Sequence, residues 1–548
     1  MKTVLPRSLT RILLVVLTVL AVPVVAGSPA SAGTLVADSG FRPDPNGFSF
    51  ENYGDEEGYK GLDAAEMVKM YGRSACLTGK GSKCVLTPGA RSLMDEVNGA
   101  MAGGHCYGLA TLSSLIKRGY LPRFGFTSIE ALGGGPETFD LGIENNVPLQ
   151  RTIARAFTAQ AFPSVAQKMV IGAPSGVIER LVADLGRGGA ELWNLSIYQW
   201  GLKSGHAITP YAVEDLGGGK FDIHVYDNNF PGDATRRVHV NTKTETWNYY
   251  ATTEPGIPEA EYRGNAKSQS LRLKPITPGL GTQRCDYCVG RKDAKSKHNQ
   301  ITLSSSGNEH ARLLIVDQKG RRTGFDEGVL VNEIPGAKVI PRESGGAILS
   351  AEGTVESIKD SLEPVYLIPK HLKLKIRIDG RGMTYSDRED LNVVGPTFDA
   401  TVDDVRVGPG KVAQVTLSPG RQTLSFTGPE GESSPTVTFG AQAKRAAAYR
   451  INVSMPGAPS RSTFFFAKKP KFGLLRIGSG STDRQTYRVL ISSYSAAGRA
   501  NFARGYSIRG SQRAYLYYGP LARPNGLAKI VIAEPGKKKV RVLRVTPT

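Results

Sequence analysis

The chain has 548 residues, a formal net charge of +20, 64 Gly, 33 Pro and five Cys. Its length is too great for one hydrophobic core, so about two to four domains are expected. The abundant Gly and Pro favour turns and short strands over long helices. The positive charge indicates attraction to anionic cell-wall polymers or acidic lipids, with a solvated basic surface as the alternative. Nucleic acid is not expected as a partner, because the sequence has neither a recognition-helix pattern nor a regular alternation of aromatic and basic residues.

The N-terminus has the three regions of a secretory signal peptide. Three basic residues and no acidic residue lie in the first 12 positions, an apolar run covers 12–26, and Ala-Ser-Ala at 30–32 precedes Gly33. This order predicts that residues 1–32 are cleaved off. A single membrane anchor is the alternative, but the run is broken by Pro23 and is shorter than the ~20 residues that span a bilayer. We therefore expect a secreted, extracellular protein without a transmembrane segment after signal cleavage, with cell-wall association as an option.

Residues 33–280 mix helical and strand patterns. Apolar residues recur at helical spacing in three segments, at 63–71, 106–118 and 177–185. Strand patterns follow at 191–197, 207–213 and 221–226. A Gly-Gly-Gly turn at 217–219 joins the last two strands as a hairpin. Helices followed by an antiparallel sheet predict one α+β domain.

Residues 281–300 are expected to be a linker, and short strand patterns separated by Gly, Pro and Asp turns dominate beyond it. These patterns lie at 311–316, 372–378, 412–417, 422–427, 449–453, 487–491 and 529–533. In 372–378, apolar residues alternate with Lys and Arg, as in a half-buried strand with one basic face. The features predict a β-sandwich module over 301–455 and a second β-rich module over 456–548. The fold class expected after the first domain is thus one or two all-β sandwich (Ig-like) modules.

Five cysteines in an exported chain cannot all pair with one another. Cys76 and Cys84 flank a Gly-rich loop and are predicted to form a disulfide. Cys285 and Cys288 close a tight turn and are predicted to form another. Half a zinc site and a redox pair are the alternatives for that turn, but the further ligands and the βαβ context that they need are not evident. Cys106 is left over, and no metal site or cofactor is expected.

Cys106 has the sequence surroundings of a nucleophile. It opens the predicted helix 106–118, and a thiolate, the reactive form of cysteine, is favoured at a helix N-terminus and beside an imidazolium. Gly103 and Gly104 allow a sharp turn into the helix, which would leave the Cys106 backbone N–H free to face a developing oxyanion. The alternative is a buried cysteine that acts as a small hydrophobe.

A histidine and two polar residues downstream complete a candidate catalytic set. His206 opens the strand 207–213, and Asp227 and Asn228 follow the strand 221–226. A hairpin brings the start of one strand close to the end of the next, so these residues are expected at one edge of the sheet. There, the carboxylate or the amide would hold the imidazole by its second nitrogen. Taken singly, a strand-end His and an Asp-Asn-Asn turn are ordinary structural features.

Three segments resemble those of bacterial secreted papain-like cysteine peptidases. They are Gly-His-Cys-Tyr-Gly-Leu-Ala at 104–110, Ser-Gly-His-Ala-Ile-Thr-Pro-Tyr at 204–211 and Tyr-Asp-Asn-Asn at 226–229. The resemblance covers roughly residues 50–275 and includes Phe-Glu-Asn-Tyr-Gly at 50–54. It implies a papain-like catalytic domain over 33–280.

The resemblance also implies roles for individual residues. Cys106 would be the nucleophile and His206 the acid/base. Asp227 or Asn228 would orient the imidazole, and Asp227 is favoured because it ends the strand. The family usually has a Gln a few residues before the nucleophile to complete the oxyanion hole. Here that Gln is missing, and Asn98 is the nearest amide, at a longer spacing.

The expected function is hydrolysis of peptide or amide bonds by a cysteine peptidase, with a protein or peptide as substrate. Acyl transfer by the same residues is a second enzymatic alternative, which differs only in the nucleophile that accepts the acyl group. The third alternative is a non-catalytic surface protein whose basic β-modules bind anionic wall polymers. Residues 313–336, which resemble an accessory module of secreted bacterial proteins, favour an attachment or spacer role.

Overall fold

The computed structural model of the chain describes most residues beyond position 32. The described ranges are 33–54, 58–79, 81–186, 189, 191–199, 205–252, 258–285, 297–305, 310–342, 362–395, 398–418, 423–429, 435–443, 447–455, 461–466, 473–479, 482–495, 498–522 and 526–548. The predicted signal peptide, residues 286–296 of the predicted linker and therefore Cys288 lie outside them. None of the described helices is long and apolar enough to cross a membrane.

The α-helices of the described residues all lie in the N-terminal part of the chain. They are α1 (Pro43–Asn46), α2 (Ala64–Tyr71), α3 (Pro88–Ala100), α4 (Cys106–Lys117), α5 (Val147–Thr158), α6 (Pro163–Ala166) and α7 (Pro174–Leu185). The three helices expected from apolar spacing are confirmed as α2, α4 and α7. α4 is buried along residues 107–116, so packing on all sides holds it in a fixed position.

An eight-stranded antiparallel sheet, named sheet 1, packs against helices α4, α6 and α7. Outside sheet 1, β2 (Cys76–Thr78) and β3 (Val85–Leu86) form a separate ribbon. The strands of sheet 1 are β1 (Thr34–Asp38), β4 (Trp193–Tyr198), β5 (Gly205–Gly217), β6 (Lys220–Tyr226), β7 (Arg237–Asn241), β8 (Thr246–Ala251), β9 (Ala260–Asn265) and β10 (Leu271–Pro275). Their order is β10-β4-β5-β6-β7-β8-β9, and β1 pairs with β5.

The predicted hairpin is confirmed as β5 and β6. Thr209 lies opposite Tyr226, and Gly217 lies opposite Lys220. The glycines at 217–219 have φ values of 81°, 67° and 83°, in the left-handed region that favours glycine. Because this turn closes one end of the hairpin, the start of β5 and the residues after β6 meet at the other end.

The second half of the chain forms two long antiparallel sheets. The strands are β11 (His298–Ser305), β12 (Arg312–Asp317), β13 (Arg322–Asp326), β14 (Val329–Asn332), β15 (Lys338–Arg342), β16 (Leu362–Pro369), β17 (Leu374–Asp379), β18 (Asp387–Gly395), β19 (Phe398–Val407), β20 (Val412–Ser418), β21 (Thr423–Thr427), β22 (Thr436–Ala443), β23 (Ala447–Ser454), β24 (Arg461–Phe466), β25 (Leu474–Ser479), β26 (Arg484–Ser495), β27 (Gly498–Arg509), β28 (Arg513–Tyr517), β29 (Ala528–Ala533) and β30 (Val540–Pro547).

The strand pairings assign these strands to two sheets. Sheet 2 has the order β15-β16-β11-β18-β19-β22-β23-β26-β27-β30. Sheet 3 has the order β14-β13-β12-β17-β20-β21-β24-β25-β28-β29-β30. From β18 onward, the chain therefore places two strands in one sheet and the next two in the other. β30 pairs in both sheets and joins them at one side.

This alternation is a structural repeat of four strands. β18, β22 and β26 begin at Asp387, Thr436 and Arg484, which are 49 and 48 residues apart. The inward-facing residues of both sheets form one hydrophobic core that extends from Ile301 to Val545. The strand predicted at 372–378 illustrates the packing, since its apolar residues are buried and its three basic residues are exposed.

These sheets overturn the expected fold class. Strands account for 46% of the structure and helices for 22%, and the antiparallel sheets include a half-barrel. The prediction of a papain-like α+β domain followed by Ig-like sandwich modules is therefore wrong. One reason is that residues 237–275 form β7–β10, where no strand was predicted. The last of these, β10, pairs with β4, and such a pairing between distant segments leaves no local sequence signal.

Helix α3 connects the helical part of the chain to sheet 2. The guanidinium of Arg91 lies 3.7 Å from the ring centroid of Tyr494 in β26. Asp95 forms an ion pair with Arg450 in β23. α3 thus contacts sheet 2 through side chains of both charge signs.

Candidate active site

Cys106 is the free cysteine among the described residues, and it is partly exposed at the first position of α4. The turn before it depends on Gly104, whose φ is 131°. A Cβ at this position would lie 2.7 Å from Nδ2 of Asn52, so a larger residue would also collide with a buried side chain. The backbone N–H of Cys106 has no acceptor within the described part of the chain. The thiol and a free donor thus lie together at a helix N-terminus.

The structure brings His206 and Asp227 into direct contact. Nε2 of His206 lies 2.6 Å from Oδ1 of Asp227, and both side chains are 0% exposed. β5 supplies the histidine near its start, and the aspartate follows the end of β6, as the hairpin register predicted. Thr209 of β5 donates a hydrogen bond to the carbonyl of Ala110 in α4 at 3.0 Å, which connects this strand to the helix that begins at Cys106.

Asp227 is held by two further donors. The Tyr249 hydroxyl donates to Oδ2 at 2.7 Å, and the Asn229 backbone N–H donates to Oδ1 at 2.9 Å. Burial raises the pKa of Asp227, but the charge of His206 and these hydrogen bonds outweigh burial and lower the pKa overall. The carboxylate is therefore ionised and fixed in orientation.

The remaining ring nitrogen of His206 faces the Cys106 thiol. Nδ1 is buried and has no oxygen or nitrogen partner among the described residues, and the Cys106 thiol also interacts with this ring. Burial lowers the pKa of His206, but Asp227 and then Cys106 raise it more strongly, to about 10. The ring is thus held as an imidazolium at neutral pH and can protonate a leaving group.

Asn228 lies in the same cluster, and its amide nitrogen is bonded to backbone carbonyls and not to the imidazole. Its Nδ2 donates to the backbone carbonyls of Cys106 at 3.1 Å and Ala207 at 2.8 Å. Asn228 therefore connects the backbone of Cys106 to the residue after His206. Of the two candidates for the orienting residue, the structure places Asp227 beside the imidazole.

Sequence reasoning missed Asn52, which supports the turn before Cys106. Oδ1 of Asn52 accepts a hydrogen bond from the His105 N–H at 2.7 Å, and the Asn52 N–H donates to the Asn228 carbonyl at 2.8 Å. His105 also bonds through Nδ1 to the Tyr53 carbonyl at 2.8 Å. The sequence signal for this contact was the position of Asn52 within the segment 50–54, which carries part of the resemblance.

The predicted oxyanion residue, Asn98, has a different set of partners. Its Oδ1 accepts from the Leu62 N–H at 2.7 Å, and its Nδ2 donates to the Leu62 carbonyl at 3.1 Å. These bonds connect α3 to the segment before α2. His224, close to Asp227 in sequence, lies 3.0 Å from a carboxylate oxygen of Glu214 and takes no part in the cluster.

The predicted disulfide between Cys76 and Cys84 is confirmed, with a Cα–Cα distance of 5.5 Å. It connects β2 to the residue before β3, in the hydrophobic cluster that also contacts Cys106. The predicted partner of Cys285, Cys288, is outside the described ranges. Within those ranges, no group of three or more His, Cys, Asp or Glu side chains could hold a metal ion.

No family model, no curated protein and no solved structure matches this chain.

Proposed function

We propose that this protein is a thiol-dependent hydrolase of peptide or amide bonds, with Cys106 as nucleophile, His206 as acid/base and Asp227 as orienting residue. One observation carries the proposal. The fully buried contact between His206 and Asp227 leaves one ring nitrogen for a free thiol at a helix N-terminus. The Asp227 carboxylate, the His206 imidazole and the Cys106 thiol each support the reactivity of the other two.

The proposed reaction has two halves. The Cys106 sulfur attacks the substrate carbonyl carbon, and the Cys106 N–H meets the oxyanion that develops. His206 then gives its proton to the leaving amine as the C–N bond breaks, which leaves a thioester. A water molecule attacks the thioester and its proton passes to His206. The C–S bond then breaks, the acid product leaves, and the Cys106 thiolate is regenerated beside the His206 imidazolium. An amine in place of water would give acyl transfer by the same groups.

A thiol-directed covalent probe tests the nucleophile. The wild-type chain should be labelled at Cys106, the Cys106→Ala variant should remain unlabelled, and both should be folded. A peptide-library cleavage profile of the two proteins then shows whether Cys106 cleaves amide bonds. Labelling at another residue, or equal cleavage by both proteins, would contradict the proposal.

A second function, attachment to an anionic polymer, is favoured by the distribution of charge. Residues 1–404 contain 45 basic and 45 acidic residues, whereas residues 405–548 contain 24 basic and 4 acidic residues. The whole excess of +20 is therefore in the last part of the chain. Such a concentrated charge attracts polyanions and can hold the candidate active site close to an anionic surface. The test is retention of the protein on anionic wall material at increasing salt concentration. A steep fall in retention would support this function, and retention that does not change with salt would oppose it.

A further inference from the structure

Part of the positive charge is concentrated at one end of sheets 2 and 3. β26 begins at Arg484, β27 ends at Arg509, and the two residues lie directly opposite each other. The turn after β27 contacts the turn after β29, because the Ser511 hydroxyl donates to Glu534 at 3.3 Å. This second turn carries three exposed lysines at 537–539. The surface formed by Arg484, Arg509 and Lys537–539 is here named the basic end.

The charges of the basic end are poorly compensated. Like charges directly opposite on neighbouring strands repel and destabilise the pairing. Neither Arg484 nor Arg509 forms an ion pair with another described residue, and Lys537 pairs with Glu534 at 3.0 Å. The fold thus bears a repulsion that an anionic partner would relieve.

The fold itself does not require strands without acidic residues. β18 and β19 have the same position in the first four-strand repeat as β26 and β27 in the third. They carry six acidic residues: Asp387, Glu389, Asp390, Asp399, Asp403 and Asp404. The five strands β26–β30 contain none. Equivalent strands can therefore accommodate carboxylates, whereas β26–β30 contribute none, and at the basic end Asp483 and Glu534 lie beside five basic residues.

We propose that the basic end binds a linear polymer with closely spaced phosphate groups. The proposal rests on the anionic-polymer attachment described above and specifies its surface and its charged group. The planar guanidinium forks of Arg484 and Arg509 match phosphate oxygens bidentately, and the lysine turn adds point charges beyond them. A flexible chain can contact both parts at once. Because these groups are exposed, the affinity depends strongly on salt.

Binding of the full chain to long-chain inorganic polyphosphate tests the basic end. The test variant is Arg484→Gln/Arg509→Gln/Lys538→Gln/Lys539→Gln. The control variant is Lys117→Gln/Arg123→Gln/Lys168→Gln/Lys243→Gln. It also removes four positive charges, but from exposed sites within residues 1–404, where basic and acidic residues are equal in number. At low salt, the test variant should bind about 10-fold more weakly than the wild type and show a shallower salt slope. The control should change the affinity by less than about 2-fold. Equal thermal unfolding midpoints would show that all three proteins are folded.

Each other outcome overturns a defined part of the proposal. Equal weakening in both variants would mean that net charge matters and the basic end does not. Unchanged binding in the test variant would place the polymer elsewhere while leaving attachment itself intact. No binding by the wild type would overturn both the attachment and its surface. Tighter binding to duplex DNA or to phosphatidylserine vesicles, at equal phosphate concentration, would overturn the choice of a flexible polymer as partner.

Discussion

The candidate active site and the basic end use charged groups in opposite ways. In the candidate active site, His206 and Asp227 are fully buried, and each is held by hydrogen bonds at defined distances. At the basic end, arginines and lysines are exposed, numerous and mostly without acidic partners. A buried set depends on geometry, so the change of one atom should have a large effect. An exposed set depends on the number of charges, so single substitutions there should have small effects.

The largest effect is expected from removal of the Asp227 charge. Asp227→Asn keeps the size of the side chain and an acceptor oxygen, but it cannot stabilise the imidazolium of His206. We expect kcat for amide hydrolysis to fall about 100-fold with little change in KM. The measurement is steady-state kinetics on the best substrate from the peptide library. Polyphosphate binding serves as the control and should be unchanged.

Full activity of Asp227→Asn would show that orientation alone is needed, and the charge assignment would be wrong. Loss of both activity and polyphosphate binding would point to unfolding, and circular dichroism would separate that outcome. Either result would change the contrast between the two regions.

An intermediate effect is expected from Asn228, which links the backbones around Cys106 and His206. Asn228→Ala removes the two hydrogen bonds from Nδ2 to the carbonyls of Cys106 and Ala207. Because a small displacement of reacting groups is costly, kcat should fall about 10-fold. The rate of Cys106 alkylation by iodoacetamide should also acquire a different pH profile.

Asn229→Ala is the matched control for this prediction. Asn229 is also buried, and its Nδ2 donates to the Thr252 carbonyl, outside the link between nucleophile and histidine. Its backbone N–H still donates to Asp227 after the substitution. Equal losses of kcat in both variants would mean that Asn228 has only a structural role.

The smallest effect concerns stability as a function of pH. The pKa of His206 is raised to about 10, so its contribution to folding is complete below about pH 6.5 and is lost as pH rises towards 10. The pKa of Asp227 is lowered, so its contribution is present above its unfolded value of about 3.9 and is lost at lower pH. The pair therefore stabilises the fold most between about pH 4 and 6.5.

Urea unfolding of the wild type and of His206→Gln at several pH values measures this contribution. The difference in unfolding free energy between the two proteins should shrink from pH 6.5 to pH 10, because other titrating groups cancel in the comparison. A difference that stays constant over this range would mean that His206 is neutral in the folded protein.

The local features of the site were predictable because each depends on neighbouring residues. Helix α4 begins at Cys106 as its apolar spacing predicted, and glycines 217–219 form the turn of the β5–β6 hairpin. The hairpin register then places His206 close to Asp227. The disulfide between Cys76 and Cys84 was also predictable, since only a short loop separates the two residues.

Other parts of the site join segments that are distant in sequence. Asn52 bonds to the backbone of His105, 53 residues away, and Tyr249 in β8 bonds to Asp227, 22 residues away, with β7 between them. Asn98 was predicted by its proximity in sequence, but the fold turns its amide towards Leu62. Tertiary packing determines the partners of these side chains, so no local sequence pattern predicts them.

The sheets show the same difference between local features, which the sequence predicted, and contacts between distant segments, which it did not. Turn residues, helical spacing and strand alternation are local, and they correctly indicated α4, the β5–β6 hairpin and the basic face of the strand at 372–378. Pairing between strands is non-local, and it alone brought β10 next to β4 and distributed β18–β30 between two sheets with one core. Burial of apolar residues from strands far apart in the chain stabilises that arrangement, so the fold class emerged only from the assembled structure.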